Sequence, residues 1–121
     1  MTNNKCKQGI AVFSVLASVL LVGCVAPQQR LYQWEGYQPQ VYEYLKGQGN
    51  GPEAQIAVLE KDMQKIRAKG GTPPPGYHAH LGLLYSQIGK DDQVLQQLRT
   101  EKALFPESTA YMDFLLKKFE K

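Results

Sequence analysis

The strongest constraint on this chain is a helical spacing of apolar residues, recurring over its length and punctuated by glycine and proline. Tyr37, Val41, Tyr44 and Leu45 fall at i, i+4, i+7 and i+8, one face of a helix, with Pro39 near its start. Gln48-Gly49-Asn50-Gly51 breaks that run, and Pro52 suits the opening of the next helix. Ile56, Leu59, Met63 and Ile66 form a second stripe, with Lys65, Arg67 and Lys69 near the negative end of its dipole and Gly70-Gly71 ending it. Thr72-Pro73-Pro74-Pro75-Gly76 is a stiff connector, because three prolines cannot continue a helix. Leu81, Leu84, Tyr85 and Ile88 make a third stripe before the turn at Gly89-Lys90. Asp91 is placed to cap a fourth helix carrying Val94, Leu98 and Phe105, which Pro106 closes. Ser108 is placed to cap a fifth, striped by Met112, Leu115, Leu116 and Phe119. No strand-like alternation occurs. The expected fold is all-α, about five helices in a short stack of antiparallel hairpins.

The third and fourth helices carry more than periodicity. Leu81-Gly82 is followed by Tyr85 three residues after the glycine, by Gly89 four later, and by Pro106 at the end of the second helix. This spacing resembles the tetratricopeptide repeat, a 34-residue helical hairpin. Gly82 would let antiparallel helices approach closely, Tyr85 would fill the space beside them, and Gly89 would permit the turn. Two residues depart from the repeat: Val94 stands at an expected small position, and Glu101 at a later alanine that the repeat half-buries. A helical hairpin without true repeat character fits the same residues. Residues 39–69 read as an earlier, degenerate hairpin and 108–121 as a terminal capping helix. That is about two and a half hairpins, fewer than the three such arrays usually need, which points to a partner or a dimer.

Ahead of the helices lies a different kind of segment. Lys5 and Lys7 make a positive flank, and Gly9 to Leu21 is 13 uncharged, mostly apolar residues. That is the length of a signal-peptide core and short of the roughly 20 residues that span a bilayer. It ends in Leu21-Val22-Gly23-Cys24, which resembles the lipobox of bacterial lipoproteins. Small residues before the cut suit a peptidase that grips an extended chain, and the thiol accepts the glyceride. The expectation is a signal peptide over 1–23, palmitate-bearing lipid on Cys24, and a tether over 24–30. An ordinary signal peptide or an anchor helix with an incidental cysteine is the alternative. The chain has two cysteines. Cys6 would leave with the leader and Cys24 would be consumed, so no disulfide is expected. Two or more acyl chains hold firmly, at about 0.8 kcal/mol per buried methylene. Val25 follows the cysteine where an acid would retain enteric lipoproteins in the inner membrane, which favours the outer membrane and its periplasmic face. Val25 to Arg30 reaches only about 20 Å at full extension.

The part from Cys24 to Lys121 is 98 residues, enough for one small domain. Removing Lys5 and Lys7 from the formal +3 leaves about +1, with no basic cluster, so neither nucleic acid nor anionic lipid is expected as a main partner.

Three longer segments carry a second resemblance. They are Leu31-Tyr32-x-Trp34-x-x-Tyr37, Pro74-Pro75-Gly76-Tyr77-His78-Ala79-His80-Leu81-Gly82-Leu83-Leu84-Tyr85, and Glu101-Lys102-x-Leu104-Phe105-Pro106-Glu107-Ser108. From about Leu31 to the C-terminus the chain resembles a family of small Gram-negative lipoproteins with no established activity. Its members typically sit beside a lipoprotein resembling the curli secretion channel subunit and another small lipoprotein. The resemblance implies a shared envelope assembly and no mechanism.

The candidate sites are few. His78 and His80, two residues apart on a helix, point about 200° from each other and cannot chelate one ion, so no metal is expected. One would face the proline connector and the other a groove. Tyr32, Trp34, Tyr37, Tyr42 and Tyr44 hold five of the chain's twelve aromatics. They suit a binding hot spot, a layer at the membrane interface, or core filling. Asp91-Asp92 and Glu107-Ser108 sit at helix starts, where capping and the dipole explain them. No nucleophile elbow, phosphate-cradling loop or ligand cluster appears, so no catalytic residue, cofactor or small-molecule substrate is expected. The expected function is a lipid-anchored interaction module that docks an envelope protein through Trp34, Tyr77 and His78. Tyr77 and His78 open the third helix, beside the rigid connector, and are expected to face a groove made by the first helices of successive hairpins. The alternative is a membrane-apposed structural lipoprotein without such a groove.

Overall fold

The structure, a computed structural model, describes residues 30–47 and 49–120. The expected leader, Cys24 and the tether as far as Gln29 lie outside the described residues. Among the described residues five α-helices follow one another: α1 Tyr37–Lys46, α2 Pro52–Ala68, α3 Tyr77–Gln87, α4 Asp91–Leu104 and α5 Thr109–Leu116, with a 3-10 turn at Pro106–Ser108 before α5. Among the described residues there is no strand. The all-α fold predicted from periodicity is the fold observed.

Each helix pair is antiparallel, because the start of the first lies against the end of the second. The backbone N–H of Gly36, just before α1, donates to Asp62 late in α2 at 2.9 Å. The N–H of Gly76, just before α3, donates to Glu101 late in α4 at 2.6 Å. Gly36-Tyr37 and Gly76-Tyr77 stand forty residues apart, and the starts of α2 and α4, Pro52 and Asp91, thirty-nine apart. With the second shift, the buried residues Gln55, Leu59, Asp62 and Ile66 fall on Val94, Leu98, Glu101 and Phe105, which are buried too. The two hairpins are one pattern used twice.

The core runs through both. Leu59, Ile66, Tyr77 and Leu84 have no exposed surface, and Ile56, Met63, Leu81, Tyr85, Val94, Leu98, Met112 and Leu116 complete it. Each such aliphatic side chain contributes about 1.5–3 kcal/mol by leaving water. Gly82 lies where α3 and α4 approach, since a Cβ there would stand 3.4 Å from Leu98 and 3.6 Å from Gln97. That was the place predicted for it. α5 packs on α4 and is tied to it by Lys102–Asp113 at 2.6 Å, and the segment after α5 by Arg99–Glu120 at 2.8 Å.

Two caps differ from expectation. α4 begins at Asp91 itself and no side chain caps it, so Asp91 and Asp92 act in the first turn, through the helix dipole. Ser108 does not cap α5 either: its hydroxyl donates back to the Phe105 carbonyl at 2.7 Å, bracing the 3-10 turn.

Candidate functional site

The polar chemistry of the molecule concentrates where α3 begins. Gly76 has φ +89, the left-handed conformation that lets three prolines turn into a helix. The first N–H groups of α3 then point away from any intrahelical acceptor. Glu101 meets them. One carboxylate oxygen accepts from Gly76, and the other from His78 at 3.1 Å and Ala79 at 3.3 Å. Glu101 is 2 % exposed, not half-buried as the repeat pattern implied. A buried carboxylate is tolerated there because three backbone donors and the positive end of the α3 dipole surround it.

This arrangement corrects the placement expected for Tyr77 and His78. Neither faces a groove. Tyr77 is fully buried, stacked on Tyr37 with ring centroids 5.0 Å apart, and its hydroxyl donates to the Leu59 carbonyl at 2.8 Å. Burial pushes its phenol well above the ordinary tyrosine value. His78 is 3 % exposed, and its Nδ1 lies 2.6 Å from the Gln97 side-chain oxygen on α4. Burial holds the imidazole below the usual value, against the opposing pull of the Gln97 bond. The physical reason is the central position of α3, which packs on neighbours around most of its circumference. His80 turns to α1, edge-on to Tyr44 and Tyr37, and its Nε2 has no hydrogen-bond partner. Burial lowers its pKa as well. Tyr85, its phenol pushed up to about 12 by burial and by Glu60, bonds the Glu60 carboxylate of α2. The two histidines diverge, and among the described residues no group of three metal-ligating side chains occurs.

A groove between first helices does exist, one turn further along. α3 and α5 diverge over a cleft of about 390 Å³. Ala79, His80, Gly82 and Leu83 form its α3 wall, Tyr111 and Leu115 of α5 with Phe119 just beyond it the opposite wall, and Leu98 of α4 its floor. Leu83, Tyr111 and Phe114 beside it are 42 %, 62 % and 56 % exposed. Tyr111 and Phe114 stack, and Lys118 stands over the Phe114 ring at 4.8 Å. The lining is mainly apolar, with a cation at its edge. Sequence reasoning missed these residues: Leu115 and Phe119 belong to a stripe that reads as a buried face, and Ala79, Leu83, Tyr111 and Phe114 belong to no stripe.

Trp34, the third predicted contact residue, lies elsewhere. It is 43 % exposed, beside Tyr37 before α1. Tyr42 and Leu45 of α1 are exposed with it, so the aromatic segment divides: Tyr37 and Tyr44 join the core, while Trp34 and Tyr42 face outward.

The model of the family described as a domain of unknown function, DUF4810, matches residues 31–115. The chain belongs to this family. The match covers α1 to α4 and nearly all of α5, so both hairpins lie within it. No curated protein and no solved structure matches the chain.

Proposed function

We propose that this DUF4810 protein is a non-catalytic docking module, lipid-anchored at Cys24 on the periplasmic face of the outer membrane, that holds another envelope protein in the cleft between α3 and α5. The observation that carries the reading is the cleft itself: an apolar depression between the first helices of successive hairpins, the side on which tetratricopeptide-like stacks bind. Its exposed aromatics Tyr111 and Phe114 are the residue types that dominate protein interfaces. The occupant is a segment of a partner protein presenting apolar side chains, with an acidic group for Lys118. The resemblance to small Gram-negative lipoproteins suggests what that partner is: another lipoprotein of the same assembly, one similar to the curli secretion channel subunit. Cys24 supplies the anchor, and no cofactor, metal, nucleic acid or small-molecule substrate enters the reading.

The test is capture from detergent-solubilised membranes by the full-length protein and by Leu83→Asp, with circular dichroism to show unchanged helicity. One stoichiometric envelope protein retained by the wild type and lost, by about tenfold or more, from the variant is the expected result. Equal capture by both would remove the cleft from the account. Cys24→Ser, labelled with palmitate in cells, tests the anchor separately; label on that variant would disprove it.

A further inference from the structure

We infer that the exposed apolar face of α1 is the surface this protein lays on the bilayer, at the depth of the lipid headgroups. The face is a shallow recess of about 350 Å³ formed by Trp34, Tyr37, Gln38, Val41, Tyr42 and Leu45, none of them charged. Lys46, at its edge, stands 5.8 Å from the Tyr42 ring, a position from which an ammonium reaches headgroups while its stem stays on apolar surface.

The duplication identifies this face as one normally covered. Shifted by forty residues, Gln38, Val41, Tyr42 and Leu45 fall on His78, Leu81, Gly82 and Tyr85, all buried. In the second hairpin α4 closes onto His78 and Gly82, and Tyr85 reaches Glu60 of α2. In the first hairpin α2 makes few contacts with α1, and a tyrosine stands where the second has that glycine. Tyr42 is 62 % and Leu45 75 % exposed.

The position of the recess in the chain selects its occupant. Residues 33–36, which lead into it, are fastened to the end of α2 and the loop beyond. Gln33 N–H donates to the Thr72 carbonyl at 2.8 Å, Glu35 pairs with Lys69 at 2.7 Å, and Gly36 N–H donates to Asp62. Six residues then lead from Arg30 back to Cys24, about 20 Å at most. With Cys24 in lipid, a part of the proposed function on which this inference rests, the recess lies close to the membrane with little room for a folded partner between. Trp and Tyr beside aliphatic side chains are what the bilayer interface favours.

Trp34 is the chain's single tryptophan, so its fluorescence reports on this face alone. The chain from Cys24 onward, which contains every described helix and one cysteine, is coupled through that thiol to a maleimide-headgroup lipid in phosphatidylcholine vesicles. This supplies an anchor whether or not the native cysteine is lipidated, so failure of lipidation in cells and failure of this inference are distinguishable. With brominated lipids, Trp34 emission should shift to the blue and fall about twofold relative to uncoupled protein. Leu45→Asp should abolish the quenching, and Leu83→Asp should leave it unchanged. Trp34 quenched no more than in uncoupled protein would overturn the inference. So would quenching absent while sedimentation shows dimers that Leu45→Asp dissolves, which would give the face to a second copy of the chain.

Discussion

The two hairpins share a register but differ in how tightly they close. In the second, α3 lies against α4 along its length, Gly82 at the contact, and Glu101 joins three N–H groups of α3. In the first, α1 touches α2 sparingly, Tyr42 replaces the glycine, and Asp62 receives one N–H, from Gly36. One absent side chain and one longer acid therefore separate a closed hairpin from an open one. The difference also divides the surfaces: the closed hairpin frames a cleft with α5, and the open one leaves an apolar helix face uncovered.

That comparison can be broken by substitution, and the largest effect belongs to Glu101. Glu101→Ala strands one buried and two partly buried donors at the start of α3, each costing about 1–3 kcal/mol when water does not replace the acid. A loss of about 3 kcal/mol or more is expected in urea unfolding with an unchanged m value. A loss under about 1 kcal/mol would mean that water replaces the carboxylate freely. Next comes Gly82→Leu, which overpacks α3 on α4 and should cost about 1–3 kcal/mol. An unchanged melting temperature would show that the hairpin does not close through this residue. Asp62→Ala should cost about 1 kcal/mol, since it frees a single N–H in the open hairpin and loses a pair whose Lys65 partner is half-exposed. Equal losses from Asp62→Ala and Glu101→Ala would erase the asymmetry.

The smallest effect is on pH dependence. His78 and His80 are buried with pKa values below the ordinary 6.5. Between that value and the lowered folded one, the unfolded chain binds protons that the folded chain does not. Their contribution is thus complete above 6.5 and is lost as pH falls toward the folded pKa. Thermal melts taken from about pH 7 to about pH 5 should show falling stability. His80→Gln should flatten the fall, and an unchanged slope would assign it to other groups.

How much of this was legible in the sequence follows from the physics of each element. Stripes at helical spacing, with glycine and proline between them, gave five helices because amphipathic periodicity is a local signal. Gly82 was legible because a glycine inside a helix costs stability and so marks a close approach. Tyr77 and His78 were misplaced because seven of the eleven residues of α3 are buried, so polarity no longer predicts a solvent face. Glu101 was read only as a departure from a pattern. Its partners lie 22 to 25 residues away, and no local spacing connects an acid to the helix start it serves. The repeat spacing leads to a groove opened by Tyr77 and His78, whereas the lining of the α3–α5 cleft depends on how α5 sits against α4, which two surface ion pairs and Met112 help to fix.

The division of labour between the two hairpins has a direct test in intact envelopes. A photo-activated diazirine amino acid is placed at Leu83 in one variant and at Leu45 in another, and both are irradiated in the same membrane preparation. A discrete protein adduct is expected from position 83, and lipid adducts without a protein band from position 45. A protein adduct from position 45 together with none from position 83 would contradict that division.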